Sequence, residues 1–434
     1  MRTVSKTVIG VDFGTQSARA VLVNAENGEI IYSCRKEYPY NSTPVPAIDC
    51  AENLPCATDY EMTLYELLRN VIPEEYRKTV AGICIDATSL TMVLLAEDGR
   101  ALSELDGWSE AAHARVKLWK YHRAQEKADE ALNLASNLQE PFLGRTGGSI
   151  SCEWMLPKLL EVRDEAPEIY SKIDLAMDLC EFLTFRLTGQ LVRSIGSLSY
   201  KCLWAEDLSF PERTFLNGLR AGFYEEYCHF LRGDVRKPGE CAGMLRSELT
   251  KRWGLPEQIP VATGMLDGHT SLATMGAFEP GDAALIVGTS NVCTVQDRKL
   301  QELKDVCGVA QEGMVTGSCG IDTGQSSTGN MLGWFVEHMA GWQIHREAEE
   351  RKISPHQVLA ERIQKPWENK VIAVDWWSGS RNAPCDLTLR GSMSGLEMDT
   401  KTEDIYLALL QAIACGTGTI LESLSGQGVE IGRV

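Results

Sequence analysis

The sequence has no CxxC pair, no GxxxxGK[ST] phosphate loop and no GxGxxG dinucleotide fingerprint. Neither a P-loop nor a Rossmann site is therefore supported; Gly416-Thr417-Gly418 falls in a helical stretch and reads as a packing or hinge feature. The 14 cysteines follow no zinc spacing and read as reduced thiols. No clean run of ~20 apolar residues is found. The nearest candidate, Ile405 to Leu421, is broken by Gln411, Gly416, Thr417, Gly418 and Thr419. Met1-Arg2-Thr3-Val4-Ser5-Lys6 leads straight into a strand-like run, which is not a signal peptide. A soluble, cytoplasmic protein with no membrane partner is expected. Basic charge is also scarce. With 42 Lys and Arg against 60 Asp and Glu, the formal net charge is −18, which disfavours a nucleic-acid partner. It does not exclude ATP, because a local nest of backbone N–H groups holds phosphates on an acidic protein.

What is present is a globular chain of 434 residues, 44% of them hydrophobic, enough for two domains with real cores. Val8 to Gly14, Ala18 to Val23 and Glu29 to Ser33 read as three strands of a meander, the last two joined by Glu26-Asn27-Gly28. A helix is expected around Tyr60 to Ile72, with Leu64, Leu67, Leu68, Val71 and Ile72 on one face. Strands follow at Val80 to Asp86 and Met92 to Leu95. The stretch from Ala111 to Ala221 is mostly helical in pattern, and the helix at Cys180 to Leu187 stops at Gly189. Near Asp282 the opening grammar returns. Ala283 to Val287, the turn Gly288-Thr289-Ser290 and Asn291 to Gln296 repeat the form of the first hairpin. Duplicated α/β domains follow, divided as 1–276 and 277–434.

Three segments carry chemistry. Asp12-Phe13-Gly14-Thr15-Gln16-Ser17 ends an apolar strand. Gly14 lets backbone approach a phosphate, the hydroxyls of Thr15 and Ser17 donate, and Asp12 can hold Mg²⁺ directly or through water. Taken alone, the segment is equally an ordinary hairpin turn. Gly288-Thr289-Ser290 offers a second phosphate grip from the other domain. Gly264-Met265-Leu266-Asp267-Gly268-His269-Thr270 places a carboxylate among small residues, within reach of a substrate hydroxyl. A lone Asp-Gly is more often a turn, and His269 alone is more often structural.

Together with Val116 to His122, Gly147 to Trp154, Tyr200 to Trp204, Gly324-Gln325-Ser326 and Asp375-Trp376-Trp377, these segments fall in an order that resembles the FGGY carbohydrate kinases. The resemblance covers nearly the whole chain. It implies an α/β fold of two actin-like (ribonuclease H-like) domains facing across an ATP and sugar cleft. It also implies phosphorylation of a pentulose by Mg-ATP. L-Ribulose, converted to L-ribulose 5-phosphate in arabinose catabolism, is the expected substrate. By the same resemblance Asp267 is the catalytic base and also touches the sugar. Lys201 binds the sugar, Trp119 walls the sugar pocket, and Asp12 is the Mg²⁺-associated carboxylate. Gly14, Thr15, Gln16, Gly288, Thr289 and Ser290 form the phosphate turns. Two substrate-side positions depart from the family. Ser89 stands where a small apolar residue is usual, and Asp322 where glutamate is usual. Aspartate is shorter by one carbon–carbon bond, ~1.5 Å. Xylulose or ribitol is therefore the alternative substrate, and a non-catalytic sugar-binding protein the alternative of a different class. Family members often dimerise, so a homodimer is a further expected partner. The family pattern continues past Glu430-Ile431-Gly432-Arg433-Val434 with an adenosine-binding loop. The second domain is accordingly expected to be incomplete, holding sugar adequately and ATP poorly.

Overall fold

The computed structural model describes residues 5–38, 54–364, 368–382, 385–386 and 388–434. They divide into two compact units. The first comprises residues up to Leu143, Ile150–Thr274 and Ala310–Cys319; the second comprises Gly144–Ser149, Met275–Val309 and Gly320–Val434. Two short segments thus group against the chain order, which a single cut between 276 and 277 does not capture.

In the first unit, β1 (Thr7–Phe13), β2 (Ser17–Asn24) and β3 (Ile30–Glu37) form the meander, and β4 (Val80–Ala87) adds parallel to β1. β3 continues past Ser33 through Arg35, Lys36 and Glu37. Those charged residues have low strand propensity, but β2 supplies ladder partners as far as Ser17 opposite Glu37, and pairing overrides propensity. Two short pairs follow: β5 (Met92–Leu95) runs antiparallel to β6 (Leu175–Asp178), and β7 (Val192–Ser194) parallel to β8 (Asp234–Arg236). β9 (Cys241–Met244), β10 (Pro260–Ala262) and β11 (Met265–Leu266) complete the main sheet. Its order is β3-β2-β1-β4-β10-β9, with β11 also paired to β4.

Burial alternates along β1, with Ile9, Val11 and Phe13 in the core and Asp12 on the opposite face. β4 has the same parity at its end: Ile83, Ile85 and Ala87 inward, Asp86 on the other face. The helix Ala57–Val71 covers the sheet with Tyr60, Leu64, Leu67, Leu68 and Val71. Helix Leu179–Thr188 is started by Asp178, whose carboxylate accepts the Leu179 N–H, and is stopped by Gly189 at φ +72°.

The second unit opens with the hairpin of β12 (Ala283–Val287) and β13 (Asn291–Asp297). With β14 (Gly308–Gln311) and β15 (Cys319–Gln325) it forms a sheet of order β12-β13-β15-β14. A small antiparallel pair, β16 (Ile372–Val374) and β17 (Ser392–Ser394), lies later in the chain. The closing helix, Thr402–Gly426, falls on the expected helical stretch around Gly416-Thr417-Gly418; what departs from expectation is its apolar length, despite Gln411 and the glycines. It is one unbroken helix, and among the described helices the one long and apolar enough to cross a membrane by length and composition. Tyr406, Leu407, Leu409, Ile420 and Leu424 on it are buried, and Tyr406 and Leu409 join the core of Phe335, Ile344, Val358 and Leu359. Packing of this kind outweighs the ~1 kcal/mol that each internal glycine costs a helix.

Candidate active site

The parallel register of the first unit brings three carboxylates to one end of its sheet. Asp12 on β1 lies directly beside Asp86 on β4. Met265 on β11 pairs with Asp86 and Leu266 with Ala87, so Asp267 follows at the same edge. This is the carboxyl end of parallel strands, where open α/β sheets bind ligands. Asp267 opens the helix Asp267–Met275, and its Oδ1 accepts the Gly268 N–H at 2.7 Å. The carboxyl sits above its ordinary range because it is buried; the Gly268 N–H opposes that rise, Asp12 adds to it, and His269 and Lys201 oppose it. Asp86 is pushed up to about 8, first by burial, then by the charges of Asp12 and Asp267 and by its hydrogen bond to Asp12.

Lys201 ends the helix Ile195–Lys201. The neighbouring Tyr200 ring meets the buried His269 ring edge-on at 4.8 Å, which fixes this helix against the start of the Asp267 helix. His269 is thus a packing residue here. The Gly14 N–H is spent within its own turn on the Ser17 carbonyl at 3.2 Å, and the Tyr38 hydroxyl donates to the Gly14 carbonyl at 2.9 Å. Thr15 and the exposed Gln16 form the tip. The Trp119 indole N–H donates to the Thr15 hydroxyl at 3.1 Å, which ties the expected sugar wall to the expected phosphate turn. Ser89 lies two residues past β4, and its buried Oγ has no hydrogen-bond partner.

In the second unit, the Gly288-Thr289-Ser290 turn is also closed by its glycine N–H, but over one residue fewer than the first. The Gly288 N–H bonds the Ser290 carbonyl at 2.9 Å, and Gly288 and Thr289 are exposed. The turn is held by the start of the helix Gly329–Met339. Thr328 Oγ1 donates to the Gly288 carbonyl at 2.9 Å, as does the Gly329 N–H at 3.0 Å. Asp322 is buried on β15, and the nearby Cys293 thiol is pushed up to about 12, first by burial and then by the Asp322 charge. Asn291, Gln325, Asp375 and Thr417 form a separate polar network there.

Asp12, Ser89, Trp119, Lys201 and Asp267 therefore belong to the first unit and Asp322 to the second. Asp86 was not among the site residues expected from sequence. Its signal was present: Ile83-Cys84-Ile85-Asp86-Ala87 repeats the apolar-strand-then-Asp form of Ile9-Gly10-Val11-Asp12-Phe13.

Residues 7–274 match the N-terminal domain of the FGGY family of carbohydrate kinases, and residues 283–434 match its C-terminal domain. The chain belongs to the FGGY family of carbohydrate kinases. This FGGY kinase is 33% identical over 437 residues to a ribulokinase of Halalkalibacterium halodurans, covering 98% of this chain and 78% of that one. It is 36% identical over 442 residues to a ribulokinase of Mycolicibacterium smegmatis, covering 98% and 77%. Its fold matches a xylulose kinase from Rhodospirillum rubrum with a TM-score of 0.75 at 20% identity, over 99% of this chain and 80% of that one. It also matches a Plasmodium falciparum glycerol kinase solved with ADP, TM-score 0.76 at 16% identity, over 98% and 80%.

Proposed function

We propose that this kinase transfers the γ-phosphoryl group of ATP to a terminal hydroxyl of a pentulose, L-ribulose first, giving ADP and L-ribulose 5-phosphate. The observation that carries this reading is the half-buried Asp267 carboxylate, beside the charges of Lys201 and Asp12 at the sheet's carboxyl edge. Asp267 accepts the hydroxyl proton as the new O–P bond forms. Lys201 orients sugar oxygens and steadies the ionised form of Asp267. The Trp119 ring packs against the sugar, and Ser89 Oγ, buried and unpartnered, supplies a hydrogen bond to it. The Thr15-Gln16 tip in the first unit and the Thr289-Ser290 tip in the second each offer N–H and hydroxyl donors suited to phosphate oxygens. The ribulokinase names of the relatives favour L-ribulose.

Magnesium fits this donor set. Asp12 and Asp86 are hard oxygen donors side by side, and the raised Asp86 carboxyl marks crowded negative charge that a cation relieves. Among the described residues no group of three or more His, Cys, Asp or Glu side chains is placed to hold a metal. Mg²⁺ suits such a site because it retains water and phosphate oxygens as ligands. When bound with ATP it neutralises phosphate charge.

Xylulose or ribitol is the second reading, favoured by the Ser89 hydroxyl and the short Asp322 side chain. The test of the main reading is Asp267→Asn. Loss of a general base lowers kcat by roughly 10²–10⁴-fold, whereas sugar affinity by calorimetry is expected to stay within about threefold. An Asp267→Asn protein with parental kcat contradicts the assignment.

A further inference from the structure

Lys158 lies on the helix Met155–Glu165 and is 0% exposed. A buried ammonium group persists only where acceptors replace water. Its Nζ donates to the carbonyls of Leu90 at 3.0 Å, Leu118 at 2.9 Å and Lys117 at 3.4 Å. Those carbonyls belong to two loops, one after β4 and one leading to Trp119. From the other side, the buried Asp178 reaches the first of these loops. Its Oδ2 accepts the Leu90 N–H at 3.0 Å, while Oδ1 accepts the Leu179 N–H at 2.7 Å.

Both backbone polar groups of Leu90 are thus held by buried ionisable side chains. Leu90 also has φ +47°, the left-handed region that a Cβ-bearing residue rarely adopts. Such a conformation persists where its surroundings over-determine it, and it recurs at ligand sites. The residue before Leu90 is Ser89, whose buried Oγ has no hydrogen-bond partner. The residue after Leu118 is Trp119, whose ring N–H is fixed on Thr15.

We infer that Lys158 and Asp178 are a positioning pair for the sugar site, holding Leu90 left-handed so that Ser89 and Trp119 face the sugar together. Neither residue touches substrate. The inference rests on the pentulose-kinase reading above and extends it to two residues with no direct chemical role. If the pair only satisfied polar groups in the core, its loss would lower stability and leave sugar recognition unaltered in the folded fraction.

The decisive variant is Lys158→Met, which keeps the stem and removes the donors. The expected result is a KM for L-ribulose raised roughly tenfold or more, the size of a lost charged hydrogen bond. kcat and the KM for ATP are expected to stay within about threefold, a pattern that marks lost uniform binding. Combining Lys158→Met with Ser89→Ala is expected to raise that KM no further than the larger single effect, since both act on one contact. Asp178→Asn keeps the volume and one acceptor, and gives a smaller rise of the same KM-only kind; it serves if Lys158→Met does not fold. Parental sugar KM in a folded Lys158→Met or Asp178→Asn protein overturns the inference, as do multiplying effects with Ser89→Ala. Ser89→Ala and Asp267→Asn alone probe the sugar site itself. If neither alters sugar KM or kcat, the kinase-site reading fails, independently of Lys158.

Discussion

Asp86 carries the clearest consequence at the scale of single residues. Its carboxyl is raised to about 8 in the folded chain, chiefly by burial and then by Asp12 and Asp267. Unfolded, an aspartate titrates near ~3.9. Between those values the folded state holds a proton that the unfolded state has released, so stability falls as pH rises through this window. Asp86→Asn keeps the shape and removes the charge. Without added Mg²⁺, its melting temperature is expected to exceed that of the parent by a few degrees at pH 8.5, and to match it below about pH 4. A variant less stable than the parent at pH 8.5 contradicts this. Asp12 and Asp267 stood out in the sequence because each sits beside a glycine turn. Asp86 lacks that local mark. The strand-then-Asp form marks it only as a strand end; its place beside Asp12 comes from the β1–β4 register, a long-range fact.

At the scale of elements, periodicity was a good guide where burial alone decides structure. The helix face of Leu64, Leu67, Leu68 and Val71, the Gly189 stop and the β12–β13 hairpin all lie where local pattern puts them. Pattern was a poor guide where tertiary partners override propensity, as in β3. Two glycines inside the helix Thr402–Gly426, Gly416 and Gly418, differ in kind. A Cβ on Gly416 would lie 2.4 Å from Gln325 Nε2 and 2.6 Å from Asp375 Oδ2, two groups already bonded to each other at 2.6 Å. A Cβ on Gly418 meets nothing within 4 Å. Gly418→Ala is therefore expected to stabilise by about 0.5–1 kcal/mol through helix propensity. Gly416→Ala is expected to destabilise by roughly 1–3 kcal/mol through overpacking. Urea midpoints read both, and the opposite order refutes the close packing at Gly416.

At the scale of the whole molecule, the similar hairpins at β1–β2 and β12–β13 give each unit one turn of the phosphate-gripping kind. The proposed sugar-side residues are uneven between units: Ser89, Trp119, Lys201 and Asp267 lie in the first, Asp322 in the second. On the proposed assignment, the choice of phosphate acceptor depends most on the first unit, which holds the β1–β4 register, the helix Ile195–Lys201 and the Trp119 loop. The reaction class was legible from the order of the motifs along the chain. The acceptor was less so, because Ser89 and Asp322 depart from the family pattern and single side-chain changes alter recognition by small energies. The measurement that tests the central claim is ADP formation from Mg-ATP with L-ribulose, D-ribulose, xylulose, ribitol and glycerol in turn. The account predicts sugar-dependent ADP release with the highest kcat/KM for L-ribulose. ADP release that is independent of every sugar, or fastest with glycerol, would contradict it.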